Sequence, residues 1–184
     1  HHAWYIGWVF VLGLFGWLVS NPVKLLNVLT PPRGYSVQND LTYGKENRQN
    51  LDLYLPVAQK SKKPPVIIFF YGGAWQEGDK EHYKFVGQSL ANKGVITAVV
   101  NYRTYPEVYF PSFIDDGALA IKWLHDNLKT YAEQYGDLFL AGHSAGAHIA
   151  CMIALNPDYL KKIGGKVSWI KGVIGLSGPY DFLP

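Results

Sequence analysis

Two unbroken runs of apolar, β-rich sequence constrain this chain more than any other feature: residues 66–71, Val-Ile-Ile-Phe-Phe-Tyr, and residues 95–100, Val-Ile-Thr-Ala-Val-Val. A strand with one wet face alternates apolar and polar side chains. A continuous run is the pattern of a strand covered on both faces, as parallel central strands are. Between the two runs Tyr83, Val86 and Leu90 recur at helical spacing, with Asp79 placed as N-cap and Gly94 just past the end. Strand, helix and strand in that order make a crossover unit, and such units build a parallel sheet with helices on both sides.

The rest of the sequence extends this pattern. A helix is predicted from Pro111 and Ser112, where Ser112 with Asp115 has the capping-box spacing and Ile114, Ala118, Ile121, Leu124 and Leu128 form one apolar stripe. Residues 138–141 read as a short strand, 145–155 as a small-residue helix and 173–176 as another strand. Ahead of the crossover unit, Leu51, Leu53 and Leu55 alternate with Asp52 and Tyr54, the pattern of a half-buried strand. Residues 44–50 would turn it back on a strand near 37–43. The expected order is β-β-β-α-β-α-β-α-β: an α/β fold with a doubly wound, mostly parallel sheet and an antiparallel amino-terminal hairpin.

The first segment is of another kind. Residues 3–19 are all apolar or glycine, and every Lys, Arg, Asp and Glu of the 184 residues lies after Val23. That length is at the lower limit of about 17 residues for crossing a bilayer, and no A-x-A cleavage pattern follows it. Trp4, Tyr5, Trp8 and Trp17 leave no polar face and suit a membrane interface. Residues 1–23 are therefore expected to be a hydrophobic membrane anchor or uncleaved signal, with a buried core helix as the alternative. Residues 24–35, which hold Pro31, Pro32 and Gly34, read as a linker, and the globular part begins at 36.

Composition narrows the partners. The net charge is +3 and the Lys and Arg residues are scattered, so no nucleic-acid footprint is visible. The single Cys151 can form no internal disulfide and, alone, no zinc site, so no metal is expected. Neither GxGxxG nor GxxxxGK[ST] occurs, which removes the usual handles for dinucleotides and nucleoside triphosphates.

The chemistry is concentrated in Gly142-His143-Ser144-Ala145-Gly146, a G-x-S-x-G string at an expected strand-to-helix junction. A serine there occupies a sharp turn at the carboxyl edge of the sheet, flanked by glycines that let strand and helix approach, and faces the free N–H groups of a helix start. Ser144 is the candidate nucleophile. Tyr71-Gly72-Gly73-Ala74-Trp75 follows the first parallel strand. Gly72 and Gly73 let the main chain pass close to a bound carbonyl, and the N–H groups of Gly73 and Ala74 with that of Ala145 could hold an oxyanion.

At these residues the chain resembles the bacterial α/β-hydrolases of the esterase and lipase group, the hormone-sensitive-lipase-like and feruloyl-esterase-like carboxylesterases. The resemblance runs from about Asp40 to the end. It rests further on Gly78-Asp79-Lys80, Asn101-Tyr102-Arg103 with Tyr105-Pro106-Glu107, Phe110-Pro111 with Asp115-Asp116, Ala147-His148, and Gly178-Pro179-Tyr180-Asp181. Tyr71 stands where the group usually has His. The resemblance implies an α/β-hydrolase fold truncated at its carboxyl end, of which residues 36–184 are the amino-terminal portion. It also implies a small-molecule or lipid carboxylic-ester substrate, a Ser-acid-His triad and no cofactor. With the first segment it implies a protein anchored in a bacterial cell envelope. The fold orders its triad Ser, then Asp or Glu, then His. After Ser144 the acids available are Asp158 and Asp181, and the only histidine is His148, one turn along the same helix and read as structural. The triad acid and base are thus expected beyond residue 184. The alternative is a non-catalytic binding or interaction protein on the same scaffold.

Overall fold

The computed structural model describes residues 22–30, 33–57 and 61–181. Six strands form one sheet: β1 (Tyr35–Thr42), β2 (Asn50–Pro56), β3 (Val66–Phe70), β4 (Ile96–Val100), β5 (Leu138–His143) and β6 (Ile170–Leu176), in the spatial order β1-β2-β4-β3-β5-β6. β1 and β2 pair antiparallel, as do β2 and β4, while β3 runs parallel to β4 and β5, and β5 parallel to β6. The helices are α1 (Pro22–Leu29), α2 (Lys84–Asn92), α3 (Ser112–Asn127), α4 (Ala145–Leu155) and the short α5 (Asp158–Lys161). The crossovers β3-α2-β4, β4-α3-β5 and β5-α4-β6 are those of the doubly wound reading.

The central strands are covered on both faces because helices lie on each. Phe69 points toward the α2 layer, its ring 5.7 Å from that of Tyr83. Its neighbour Phe70 points the other way, where a Cβ added at Gly117 of α3 would come within 3.3 Å of its ring. The predicted stripe of α3 is the core face: Ile114, Ala118, Ile121, Leu124 and Leu128 are all buried. Beside α2 the sheet is less fully covered, and an apolar cavity of about 540 Å³ opens between Phe69, Tyr83, Val86, Ile174 and Leu176, with His143 on its rim.

Three local expectations change. β2 is not half-buried, since Asp52 and Tyr54 are as enclosed as Leu51 and Leu53. Lys80 reaches Asp52 at 2.8 Å and Asp40 at 2.7 Å, neutralising the buried carboxylate, and α2 lies on Tyr54 at Gly87, where a Cβ would fall 2.3 Å from the ring. Asp79 caps not α2 itself but a 3₁₀ turn, Lys80–Tyr83, accepting from the Glu81 N–H at 2.9 Å. The Ser112–Asp115 capping box does not form: Ser112 is already helical, its N–H donates to the Tyr109 carbonyl, and the Asp115 carboxylate pairs with Lys162, just past α5.

The membrane expectation is also corrected. Among the described residues no helix is long and apolar enough to cross a membrane, where the sequence reading expected a transmembrane helix and an envelope-anchored protein. The apolar run of residues 3–19 lies outside the described residues. α1, eight residues long against about 20 for a span, straddles the expected boundary between the anchor and the linker at residues 23 and 24. α1 is fastened to the domain by Asn27, which donates to the carbonyls of Glu81 and His82 and accepts from the Phe85 N–H.

Candidate active site

β5 ends at His143 and α4 begins at Ala145, so Ser144 alone makes the turn. Its backbone stands at φ 52°, ψ −120°, a region that costs a non-glycine residue about 1–3 kcal/mol and persists only where the surroundings enforce it. Three backbone bonds do so: the Ser144 N–H donates to Leu176 at 2.8 Å, and the N–H groups of Ala147 and His148 donate to the Ser144 carbonyl at 3.0 and 3.2 Å. The flanking glycines are required by close approach. A Cβ on Gly142 would lie 2.3 Å from the Gly146 carbonyl oxygen, and one on Gly146 would lie 2.0 Å from that of Phe70. With Ala147 and His148 bonded to Ser144, the N–H groups left over at the start of α4 are those of Ala145 and Gly146, and they make it a site for negative charge.

The loop after β3 meets this turn. A Cβ on Gly72 would touch the Ser144 Cβ and the His143 carbonyl, each at 3.0 Å. Gly73 has φ +140°, and a Cβ there would fall 2.1 Å from the Glu77 carbonyl oxygen. Ala74 and Trp75 follow with φ 51° and 59°, while the N–H groups of Gln76 and Glu77 both donate to the Gly73 carbonyl. The fold therefore gathers Ser144, Ala145 and the loop carrying Gly72, Gly73 and Ala74 at the carboxyl edge of β3 and β5. A reactive hydroxyl beside several backbone donors is what attack on a carbonyl carbon requires.

Tyr71, where the resembled group has histidine, is fully buried and stacks between Tyr83 and Tyr102 at 5.6 and 4.9 Å. Burial pushes its hydroxyl well above the usual phenol range, so it stays neutral and can both donate and accept. The histidines near Ser144 have other surroundings. His148 is almost enclosed, edge-on to Trp75 at 5.3 Å, and burial holds its pKa below the ordinary value. His143 is exposed, its ring 6.5 Å from that of Tyr83. On α3, His125 stacks on Trp169 at 3.6 Å and bonds Asp126.

Sequence reasoning gave no role to the polar residues around the site. Asp116 is buried on α3 and accepts from the Gln49 amide, the Arg103 N–H and the Arg103 guanidinium. Asn101 receives the Tyr71 hydroxyl and the Lys80 N–H, each at 2.8 Å. The motifs Gly78-Asp79-Lys80, Asn101-Tyr102-Arg103 and Asp115-Asp116 did carry the signal, as fragments without a function. Arg48 carried none.

The family profile BD-FAE matches residues 51–184. The chain belongs to the BD-FAE family. This BD-FAE member is an α/β-hydrolase of the esterase and lipase group, with the fold expected of it. It is 35% identical over 150 residues to the probable isoprenylcysteine alpha-carbonyl methylesterase ICME of Oryza sativa subsp. japonica, which covers 79% of this chain and 36% of that protein. It is 34% identical over 149 residues to the kynurenine formamidase of Danio rerio, covering 79% of this chain and 47% of that one. Among solved structures, esterase B of Lactobacillus rhamnosis superposes with a TM-score of 0.71 at 19% identity, over 92% of this chain and 56% of that one, a likeness of fold alone. The chain thus spans about a third to a half of the length of these curated relatives. With rice and zebrafish among them, the likeness is not confined to bacteria.

Proposed function

We propose that this protein hydrolyses carboxylic esters through an acyl-enzyme intermediate, with Ser144 as nucleophile. Ser144 Oγ attacks the ester carbonyl as its proton passes to a general base. The resulting oxyanion accepts hydrogen bonds from the N–H groups of Gly73, Ala74 and Ala145, and Gly72 keeps the loop close enough for them to reach. Collapse of the intermediate expels the alcohol, and water then releases the acid by the same steps. His148, packed against Trp75 and on the nucleophile's own helix, is a poor base for Ser144. The reading therefore assigns the acid and base of the triad to parts of the protein outside the described residues, in the order Ser, acid, His.

The observation that carries this reading is the strained turn at Ser144 in contact with the Gly72 loop. Two costly backbone arrangements meet at one point, and strain of that kind clusters at active sites. Supporting it, the rice relative is named a methylesterase and the zebrafish relative a formamidase, both of which cleave an acyl group from oxygen or nitrogen. Small-molecule and lipid carboxylic esters are the proposed substrates, with formamides the second class to assay. The test is covalent labelling by a fluorophosphonate together with hydrolysis of an activated ester. Labelling at Ser144, and loss of both signals in Ser144→Ala, are expected. Labelling and turnover that survive Ser144→Ala would remove the nucleophile from this account.

A further inference from the structure

Arg48 lies in the turn between β1 and β2, distant in sequence from every candidate site residue, yet its guanidinium brackets the loop of residues 72–78. Nη2 donates to the Tyr71 hydroxyl at 2.7 Å and to the Gly78 carbonyl at 2.8 Å, and Nε donates to the Tyr102 carbonyl at 2.9 Å. Tyr71 opens the loop and Gly78 closes it. Tyr102, just past β4, donates its own hydroxyl to the Tyr71 carbonyl at 2.7 Å. One side chain therefore holds both ends of the loop and the strand end beside it, with Asp79 at 3.8 Å supplying an opposite charge.

Tyr71 carries the connection inward. Its hydroxyl accepts from Arg48 and donates to Asn101, which also takes the N–H of Lys80, two residues beyond Gly78. A guanidinium suits this task, because its donors form a rigid planar fork. The loop needs such a clamp. Gly73, Ala74 and Trp75 all have positive φ, and backbone donors stabilise an oxyanion only if they are fixed before it forms.

The geometry points to Arg48, acting through Tyr71, as the positioning residue of the oxyanion loop. This rests on the role proposed above for Ser144. Arg48 touches no reacting atom; it keeps the N–H groups of Gly73 and Ala74 where the oxyanion will form. A residue with that task changes the transition state more than substrate binding, whereas one that merely staples the β1–β2 turn changes stability alone.

In the full chain, hydrolysis of an activated ester, thermal stability, and inhibition by a trifluoromethyl ketone, whose serine adduct bears an oxyanion, separate these roles. Arg48→Met is expected to lower kcat about 10- to 100-fold, the scale of a small misplacement of catalytic groups. KM should stay within about threefold, and affinity for the ketone should fall in step with kcat/KM. Tyr71→Phe keeps the ring stack and should lower kcat about tenfold, with the double variant no worse than Arg48→Met by more than about twofold, as groups acting as a unit behave. Unchanged kcat and ketone affinity in both variants overturn the inference, whatever happens to the melting temperature. If Arg48→Met does not fold, Tyr71→Phe decides by the same measurements. Ser144→Ala separates the two claims. If it remains active, the hydrolase reading falls and this inference with it; if it is dead while the Arg48 and Tyr71 variants match wild type, only this inference falls.

Discussion

The turn at Ser144 and the loop of residues 72–78 meet at one edge of the sheet and are held by opposite means. The turn is made possible by atoms that are absent: no Cβ at Gly142 or Gly146, so strand and helix close on each other and backbone bonds fix the serine. The loop is held by atoms sent from elsewhere: Arg48 from the β1–β2 turn, Asn101 and Tyr102 from the end of β4, and Tyr83 from the 3₁₀ turn. A structure of the first kind fails when something is added. One of the second kind fails when something is removed.

Adding to the turn should have the largest effect. In Gly146→Val the new Cβ would meet the Phe70 and Tyr71 carbonyl oxygens at 2.0 and 2.5 Å, and neither can retreat without parting β3 from α4. A loss of more than about 3 kcal/mol is expected, enough to leave little folded protein, as read by urea denaturation. A Gly146→Val protein as stable as wild type would show that the turn is not closed as described.

Removing from beneath the loop comes next. Asp116→Ala strands the Arg103 charge and the amide of Gln49, the neighbour of Arg48. The expected loss is about 2–3 kcal/mol, less than for a wholly buried pair because Arg103 stays partly open to water. If the two regions are held independently, the folded remainder should still label with fluorophosphonate, more slowly than wild type. Gly73→Ala strikes the loop itself. At φ +140° and 2.1 Å from the Glu77 oxygen, the new Cβ should cost about 1–2 kcal/mol and slow labelling about tenfold, with α4 undisturbed.

The same contrast explains what the sequence could reveal. The turn was legible because its requirements are local: Gly at two fixed offsets from a serine, a strand before and a helix after, and α4 spans the residues predicted. The glycines of the loop were legible for the same reason. The clamp was not, since nothing near Arg48 marks it, and its partners lie 23 to 54 residues away. The error at β2 has the same origin. Alternation assumes that a polar residue faces water, and Asp52 escapes the rule because Lys80 comes from a distant segment to meet it, beside the N–H of Asp40 on β1. Ser112 and Asp115 show the converse, a correct local spacing overruled by Lys162 and by a turn that begins at Tyr109.

The smallest predicted effect tests a second contact between the two regions, beside that of Gly72 with Ser144. His148 lies one turn beyond Ser144 on α4, and its ring stands edge-on to Trp75 of the loop at 5.3 Å. Burial lowers its pKa, so the folded protein takes up this proton at a lower pH than the unfolded chain, where the group titrates near the ordinary value of about 6.5. Above that value both states are neutral and His148 adds no pH dependence. As the pH falls through it, the unfolded chain is protonated first and stability declines. The decline ends once the pH is below the folded value and both states carry the proton. Melting temperatures at about pH 7.5 and about pH 5.5, compared between wild type and His148→Gln, isolate this contribution, because His82, His125 and His143 are common to both. The variant should lose less on acidification than wild type. Equal losses would mean that the imidazole is solvated in the folded protein, and that the turn and the loop are not joined through His148 and Trp75.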